Sequence, residues 1–228
     1  MGVPGVAWFS FEPGSERITA VPEPGIAPEV VLDAYYGMGL PLAIQAAWGY
    51  EVLHASAVGM DDSVIAFVGV SGTGKSTIAH GLARRGNVLW ADDAVAFRAD
   101  DGVAPTTTAL PFEPKLRAES EAFFGPIDTA CIALPIPWSS TPLGALFVFE
   151  ASSATGLRPE VERLSAIDAL PTVLPRGFRF RPLSLERQRQ IVSSYLELLA
   201  QVPVFRVTYA KEFGTLSGLL DAIEEANG

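Results

Sequence analysis

The chain has 228 residues, 49% of them hydrophobic, which is enough to bury the core of a single α/β domain. A formal charge of −10 excludes a non-specific nucleic-acid binder, which needs a basic face, although local basic clusters remain. One cysteine, Cys131, and two histidines exclude an internal disulfide, a cysteine-based zinc site and a His-rich metal site, and Cys131 reads as a small buried apolar residue.

Met1 to Glu12 lacks the basic stretch and apolar core of a secretion signal. The uncharged run Thr129 to Phe149 is interrupted by Pro135, Pro137 and Pro142, which a lipid-exposed helix tolerates poorly. The expectation is a soluble cytoplasmic protein with no membrane and no nucleic-acid partner. Val6–Phe11 and Arg17–Val21 read as a hairpin with its turn at Glu12–Ser15. Glu29–Tyr36 and Leu40–Trp48 read as two short helices broken at Gly37-Met38-Gly39. Glu51–Val58 reads as one strand, turned by Gly59–Asp62 directly into the strand Ser63–Val68. A connection this short makes an antiparallel pair, because parallel strands need a crossover of a dozen or more residues, so a mixed sheet is expected.

A helix over Thr77–Gly86 follows, with Arg84 and Arg85 in its last turn and Gly86 as its cap. Asn87–Trp90 is a strand ending at Ala91-Asp92-Asp93, and Ala94–Arg98 continues extended into a turn at Asp100–Gly102. Thr106–Leu110, Leu143–Phe149, Glu160–Leu164 and Pro203–Tyr209 read as strands. Ala118–Phe124, Ser165–Val173, Leu183–Gln201 and Leu216–Ala226 read as helices. No repeat or long linker divides residues 1–228, so one domain is expected: an N-terminal hairpin and helices to residue 50, a nucleotide-binding core over 51–98, and acceptor-side and C-terminal elements over 99–228.

Gly69-Val70-Ser71-Gly72-Thr73-Gly74-Lys75-Ser76 fits G-x-x-x-x-G-K-[ST], and strand, loop and helix come in the order this phosphate loop requires. Its glycines let successive backbone N–H groups turn inward around a phosphate at the positive end of the helix. Gly69, Ser71, Gly72, Thr73, Gly74, Lys75, Ser76 and Thr77 are the candidate ATP-binding residues. Lys75 is expected at the β- and γ-phosphates and the Ser76 hydroxyl on Mg²⁺. Asp92 and Asp93 lie one strand-turn-helix-strand unit further on, at the end of a strand expected beside the loop strand. Asp92 is assigned as base and Asp93 to the metal, an order that residue types alone leave reversible. His54, on the strand paired with the loop strand, is a candidate for the γ-phosphate region, whereas a lone strand histidine is more often structural. His80 reads as packing or surface. Lys115 and Arg117, and the strip Arg176, Arg179 and Arg181, suit phosphate or carboxylate partners as well as they suit solvated surface. Phe178 and Phe180 read alternatively as an edge strand against a second subunit in a homo-oligomer.

His54–Val58, Gly69–Ser76 and Trp90–Val95 together resemble the catalytic domain of HPr kinase/phosphorylase. They are still more similar to the small HPr-kinase-like serine kinases found with ribosomally made peptides such as lasso peptides. The resemblance covers residues 51 to 98, and Pro142–Glu150 and Val202–Val207 are similar too, less specifically. It implies an α/β fold of the HPr kinase/phosphoenolpyruvate carboxykinase type, with a mixed, partly antiparallel sheet flanked by helices. It also implies transfer of a phosphoryl group from ATP to a serine hydroxyl, with catalytic roles for His54, Lys75 and Asp92 and a magnesium site that includes Asp93. The family's Glu-x-Arg-Gly-Leu-Gly stretch is missing, which speaks against phosphorylase activity and against HPr as substrate; Glu113 is a stand-in by position only. The expected function is an ATP- and Mg²⁺-dependent kinase of a serine in a small precursor peptide. A kinase of a small molecule such as free serine and a non-catalytic nucleotide-dependent module are the alternatives.

Overall fold

A computed structural model describes residues 2–12, 17–100, 102–125, 129–133, 140–152, 155–178 and 184–228. The expected roles of Arg179, Phe180 and Arg181 and the turn at residues 13–16 lie outside the described residues. At the N-terminus β1 (Gly2–Val3), β2 (Ala7–Phe11) and β3 (Ile18–Pro22) form an antiparallel sheet. Alternation along β2 turns Ala7 and Phe9 inward onto Val31 and leaves Trp8 exposed.

The helical segment after it differs from expectation. α1 (Pro28–Ala34) does not stop at the glycines but widens into a π-helical turn over Tyr35–Gly39 and continues as α2 (Leu40–Trp48). Pro41 has no N–H to donate back into the preceding turn, and its ring would strike that turn's carbonyl in a regular helix. Widening relieves both problems, and Gly39 lets the Phe9 ring approach to 3.4 Å of where a Cβ would stand. The helix ends at Gly49, in the left-handed region at φ 69°.

The expected single strand over Glu51–Val58 is likewise two. β4 (Glu51–Leu53) pairs with β8 (Val95–Arg98), whereas β5 (Ala55–Met60) pairs with β6 (Ser63–Val68) and β7 (Val88–Ala91). The chain changes partners at His54, whose N–H donates to the Arg176 carbonyl at 2.7 Å while Phe178 N–H donates to the Val52 carbonyl at 2.9 Å. The Phe178 backbone is therefore paired with this chain's own β4.

β6 leads through the glycine loop into α3 (Lys75–Ala83), β7 and β8, then β9 (Thr106–Thr108), α4 (Ala118–Phe124) and the long β10 (Thr141–Ser152). β11 (Glu160–Leu164), α5 (Ala166–Val173), α6 (Leu185–Gln201), β12 (Val204–Ala210) and α7 (Leu216–Asn227) complete the described elements. The main sheet runs β4-β8-β9-β10-β6-β5-β7, with β12 parallel to β10 and β11 antiparallel to β12. β6 is parallel to β10 and antiparallel to β5, so the sheet is mixed as expected. β7 is not beside β6, however. The tight turn at Asp61-Asp62 folds β5 against β6, and β7 takes the far edge of β5.

Period-two alternation divides the core into two layers. Ile65 and Phe67 of β6 and Phe147 and Phe149 of β10 face α3 and α7, packing on Ile78, Leu82 and Ile223. Val64, Ala66, Leu146 and Val148 face α5 and α6, packing on Val173, Tyr195 and Leu198. Both faces of β6 and β10 are thus buried, which is why these strands are uninterrupted apolar runs. Truncating a fully buried ring such as Phe67 to alanine would cost about 3–5 kcal/mol. On the β4 side the anchor is polar: Arg187 of α6 grips buried Glu51 with both nitrogens, at 2.6 and 3.0 Å. Gln45 of α2 donates to the same carboxylate and to the Phe178 carbonyl, so one network holds three elements and the 176–178 segment together.

Candidate functional site

Because β6, β10, β12 and β7 point one way, their C-terminal ends and the start of β5 meet at one edge of the sheet. There the loop Gly69–Gly74 opens into α3. Gly72 and Gly74 take φ of 86° and 93°, which disfavours any side chain. At Gly69 a Cβ would stand 2.9 Å from Thr73 Oγ1 and 3.1 Å from the Phe149 carbonyl, so only glycine fits. Thr73 Oγ1 donates to the Val70 carbonyl at 2.9 Å, and Tyr209 at the end of β12 donates its hydroxyl to the Thr73 carbonyl. The loop is fixed by its own atoms and by a strand more than a hundred residues away.

Lys75 is 6% exposed, and its Nζ donates to the Gly69 carbonyl at 3.2 Å. Burial lowers its pKa, Asp93 and Asp92 act to raise it, and the guanidinium groups of Arg176 and Arg117 act to lower it. Ser76 Oγ donates to Asp92 Oδ1 at 2.7 Å, and Ser56 of β5 donates to the same oxygen at 2.8 Å. The Asp92 carboxyl is pushed above the ordinary range, first by burial and then by Asp93, against the lowering effect of the two hydroxyls. Asp93 is exposed, in the left-handed region at φ 68°. Burial lowers the pKa of His54, Lys75 lowers it further, and Asp93 opposes both through its charge and a backbone hydrogen bond.

His54, Lys75, Ser76, Asp92 and Asp93 line one cavity of about 380 Å³, which also takes in Ser71, Thr77, Lys115, Arg117, Tyr209, Lys211 and Phe213. Its size is that of a small-molecule site. The expected loop, catalytic and metal residues and Lys115 and Arg117 are therefore at this cavity, except Gly69, which is packed beneath the loop, while Arg176 and the stand-in Glu113 do not line it. Thr77 faces the cavity with its hydroxyl paired to Ser120 of α4 at 2.8 Å, tying the loop helix to α4. The Arg117 guanidinium lies 3.5 Å from where a Gly72 Cβ would be, over the loop, and Lys115 is ion-paired with Asp33. His80 is 2% exposed on the inner side of α3, its ring edge-on to Phe124, and takes no part. Cys131 is half-buried against the α3–α7 layer.

Two neighbours, Ser56 and Tyr209, were not anticipated as site residues. Ser56 follows His54 by two, so strand alternation pointed to it. Tyr209 is brought in by long-range pairing that local pattern does not reveal, and long-range pairing also sets Arg176, a member of the expected basic strip, near Lys75. The buried Arg176 Nε has no hydrogen-bond partner among the described residues.

Among solved structures, the chain is similar to the Hpr(Ser) kinase/phosphatase from Coxiella burnetii, at 11% identity over 77% of this chain and 96% of that one, with a TM-score of 0.40. No protein-family model and no curated protein matches it.

The residues at hand suit a nucleoside triphosphate with magnesium. The loop opens into the N-terminal end of α3, where helix geometry favours an anion, and Ser76 and Asp92 supply oxygen donors only. Among the described residues no group of three His, Cys, Asp or Glu side chains could hold a metal by itself. Magnesium commonly takes one or two carboxylates and completes its shell with water and phosphate oxygens, so this donor set fits. No described helix is long and apolar enough to cross a membrane.

Proposed function

We propose that the protein is an ATP- and Mg²⁺-dependent kinase that phosphorylates a serine hydroxyl in a small precursor peptide, with a fold of the HPr-kinase-like type. The observation that carries this reading is the hydrogen bond from Ser76, the last residue of the phosphate loop, to Asp92, with Asp93, His54 and Lys75 around the same cavity. A loop that only gripped phosphate would have no need of two carboxylates at its mouth. The motif resemblance over residues 51 to 98 supports the same reading.

The Ser76–Asp92 bond favours reversing the two aspartates relative to the sequence assignment. Asp92 and Ser76 would hold the metal together, and Asp93, with no hydroxyl partner among the described residues and open to solvent, would accept the proton of the attacking hydroxyl. Magnesium, when bound, neutralises charge on the phosphate oxygens. Lys75 leaves the Gly69 carbonyl for the β- and γ-phosphates, a better partner for a buried ammonium than a neutral acceptor. Arg176 and Arg117 add positive charge near it, where charge on the transferred group must be met. His54 lies beside Asp93 and Lys75 and, kept neutral by burial, holds the Asp93 backbone by a hydrogen bond without adding charge.

Incubating the protein with γ-labelled ATP and a set of serine peptides, and mapping the label by mass spectrometry, tests the reading. Phosphoserine in peptide is expected. Label found only in free amino acids or sugars would overturn the peptide assignment.

A further inference from the structure

A second, smaller cavity of about 70 Å³ lies between the π-helical turn Tyr35–Gly39 and the segment leading from Leu110 to Lys115. Among the described residues, Asp92, Asp93 and Lys115 are the ones that line both this cavity and the large one. The two spaces thus approach the same pair of carboxylates from different sides. We propose that the small cavity is the acceptor subsite, and that it receives the hydroxymethyl side chain of a peptidyl serine. The proposal rests on the phosphotransfer reading of the large cavity and specifies what that reading leaves open.

Size is the first argument. A water needs roughly 10–15 Å³ of such space, so this cavity holds a few heavy atoms and not a sugar or phenol ring. Chemistry is the second. Leu40, Leu110, Pro111 and Phe112 give apolar walls, and the carboxylates that can take a hydroxyl proton are shared with the phosphate side. Charge is the third. Asp33, Asp92, Asp93 and Glu113 surround the cavity against Lys115 alone, which disfavours the carboxylate of free serine but not an uncharged peptide backbone. The wall itself is unusual: widened helical turns of this kind recur at functional sites, and a Cβ built at Gly37 meets no atom within 4 Å.

In the step this subsite sets up, the serine Oγ–H bond breaks and its proton goes to the Asp93 carboxylate. The Oγ–P bond forms, the bond from the γ-phosphorus to the β,γ-bridging oxygen breaks, and ADP leaves with that electron pair. The products are phosphoserine and ADP.

Degenerate, terminally blocked peptide pools centred on Ser, Thr or Tyr, together with free L-serine, are offered with γ-labelled ATP to the wild type and to Gly37→Leu. The serine pool is expected to be labelled fastest, with threonine slower by about tenfold or more because one added methyl must be fitted. Tyrosine and free serine should stay near background. Gly37→Leu should lower labelling of the serine pool at least about tenfold, the same order as one misfitted group, while its ATP affinity stays within about twofold of wild type. Tyrosine or free serine labelled as fast as the serine pool would overturn the subsite, as would a folded Gly37→Leu protein that labels the serine pool at the wild-type rate. If Gly37→Leu does not fold, the wild-type comparison of pools decides. If the wild type labels no acceptor at all, the phosphotransfer reading falls and the subsite with it, a result distinct from labelling that ignores the cavity.

Discussion

Replacing Tyr209 by phenylalanine removes one oxygen from the structure and tests whether the phosphate loop is held from β12. The residue is 3% exposed, and its ring packs edge-on to Phe149 with centroids 5.6 Å apart, a contact phenylalanine keeps. What disappears is the hydroxyl donated to the Thr73 carbonyl in the loop. Burial raises the Tyr209 pKa, so the group is a protonated donor throughout any ordinary assay range. Losing a net hydrogen bond and leaving a buried carbonyl without its partner costs about 1–3 kcal/mol. For a chain of this length each kcal/mol moves Tm by about 2–4 °C, so a fall of about 2–12 °C is expected. The loop would also spend part of its binding energy on ordering itself, weakening ATP by about tenfold. Thermal unfolding followed by circular dichroism and calorimetric titration of ATP read the two effects separately. A Tyr209→Phe protein with wild-type Tm and wild-type ATP affinity would refute the tie.

Two further outcomes are expected. Asp92→Asn keeps an acceptor for Ser56 and Ser76 but removes a carboxyl whose folded-state pKa is raised. A raised pKa means that the folded state binds the proton more tightly, so the wild type loses stability as pH rises from the unfolded value of about 3.9 through the folded one. The variant should therefore gain stability over the wild type between pH 4 and pH 7.5 in urea melts; a constant difference would contradict this. Arg187→Met leaves the Glu51 carboxylate buried with only Gln45, and should cost about 3–5 kcal/mol, much of it recovered in Glu51→Gln/Arg187→Met. Equal denaturation midpoints for the single variant and wild type would sink that account.

Much of this arrangement was legible in residue order. The motif at Gly69–Ser76 identified the loop, and the apolar run Ser63–Val68 the strand beneath it, because burial on both faces leaves a continuous hydrophobic string. α4 and β11 fall on the residues their patterns indicated. Where pattern failed, long-range pairing decided. Nothing local distinguishes one strand over Glu51–Val58 from two, since the break at His54 follows from β8 and β6 competing for the two halves. The glycines at 37 and 39 looked like a helix end, but Pro41 and the Phe9 ring make them a widened turn. The insertion of β5 between β6 and β7 was implicit in the Asp61-Asp62 turn, yet only the pairing of β7 with β5 completes it. Tyr209 and Arg176 reach the site from β12 and from the segment after α5, and Arg179, proposed beside them, lies outside the described residues.

The central claim is that the loop at Gly69–Ser76 holds the donor while the aspartates at its mouth move the phosphoryl group. Single-turnover transfer from γ-labelled ATP to a serine peptide, compared between wild type and Asp93→Asn at saturating ATP and Mg²⁺, tests it most directly. The wild type should transfer the label, and the variant should do so about 10²–10⁴-fold more slowly with ATP affinity retained. Transfer at equal rates by both proteins, or bound ATP that the wild type never passes to a hydroxyl, would contradict it.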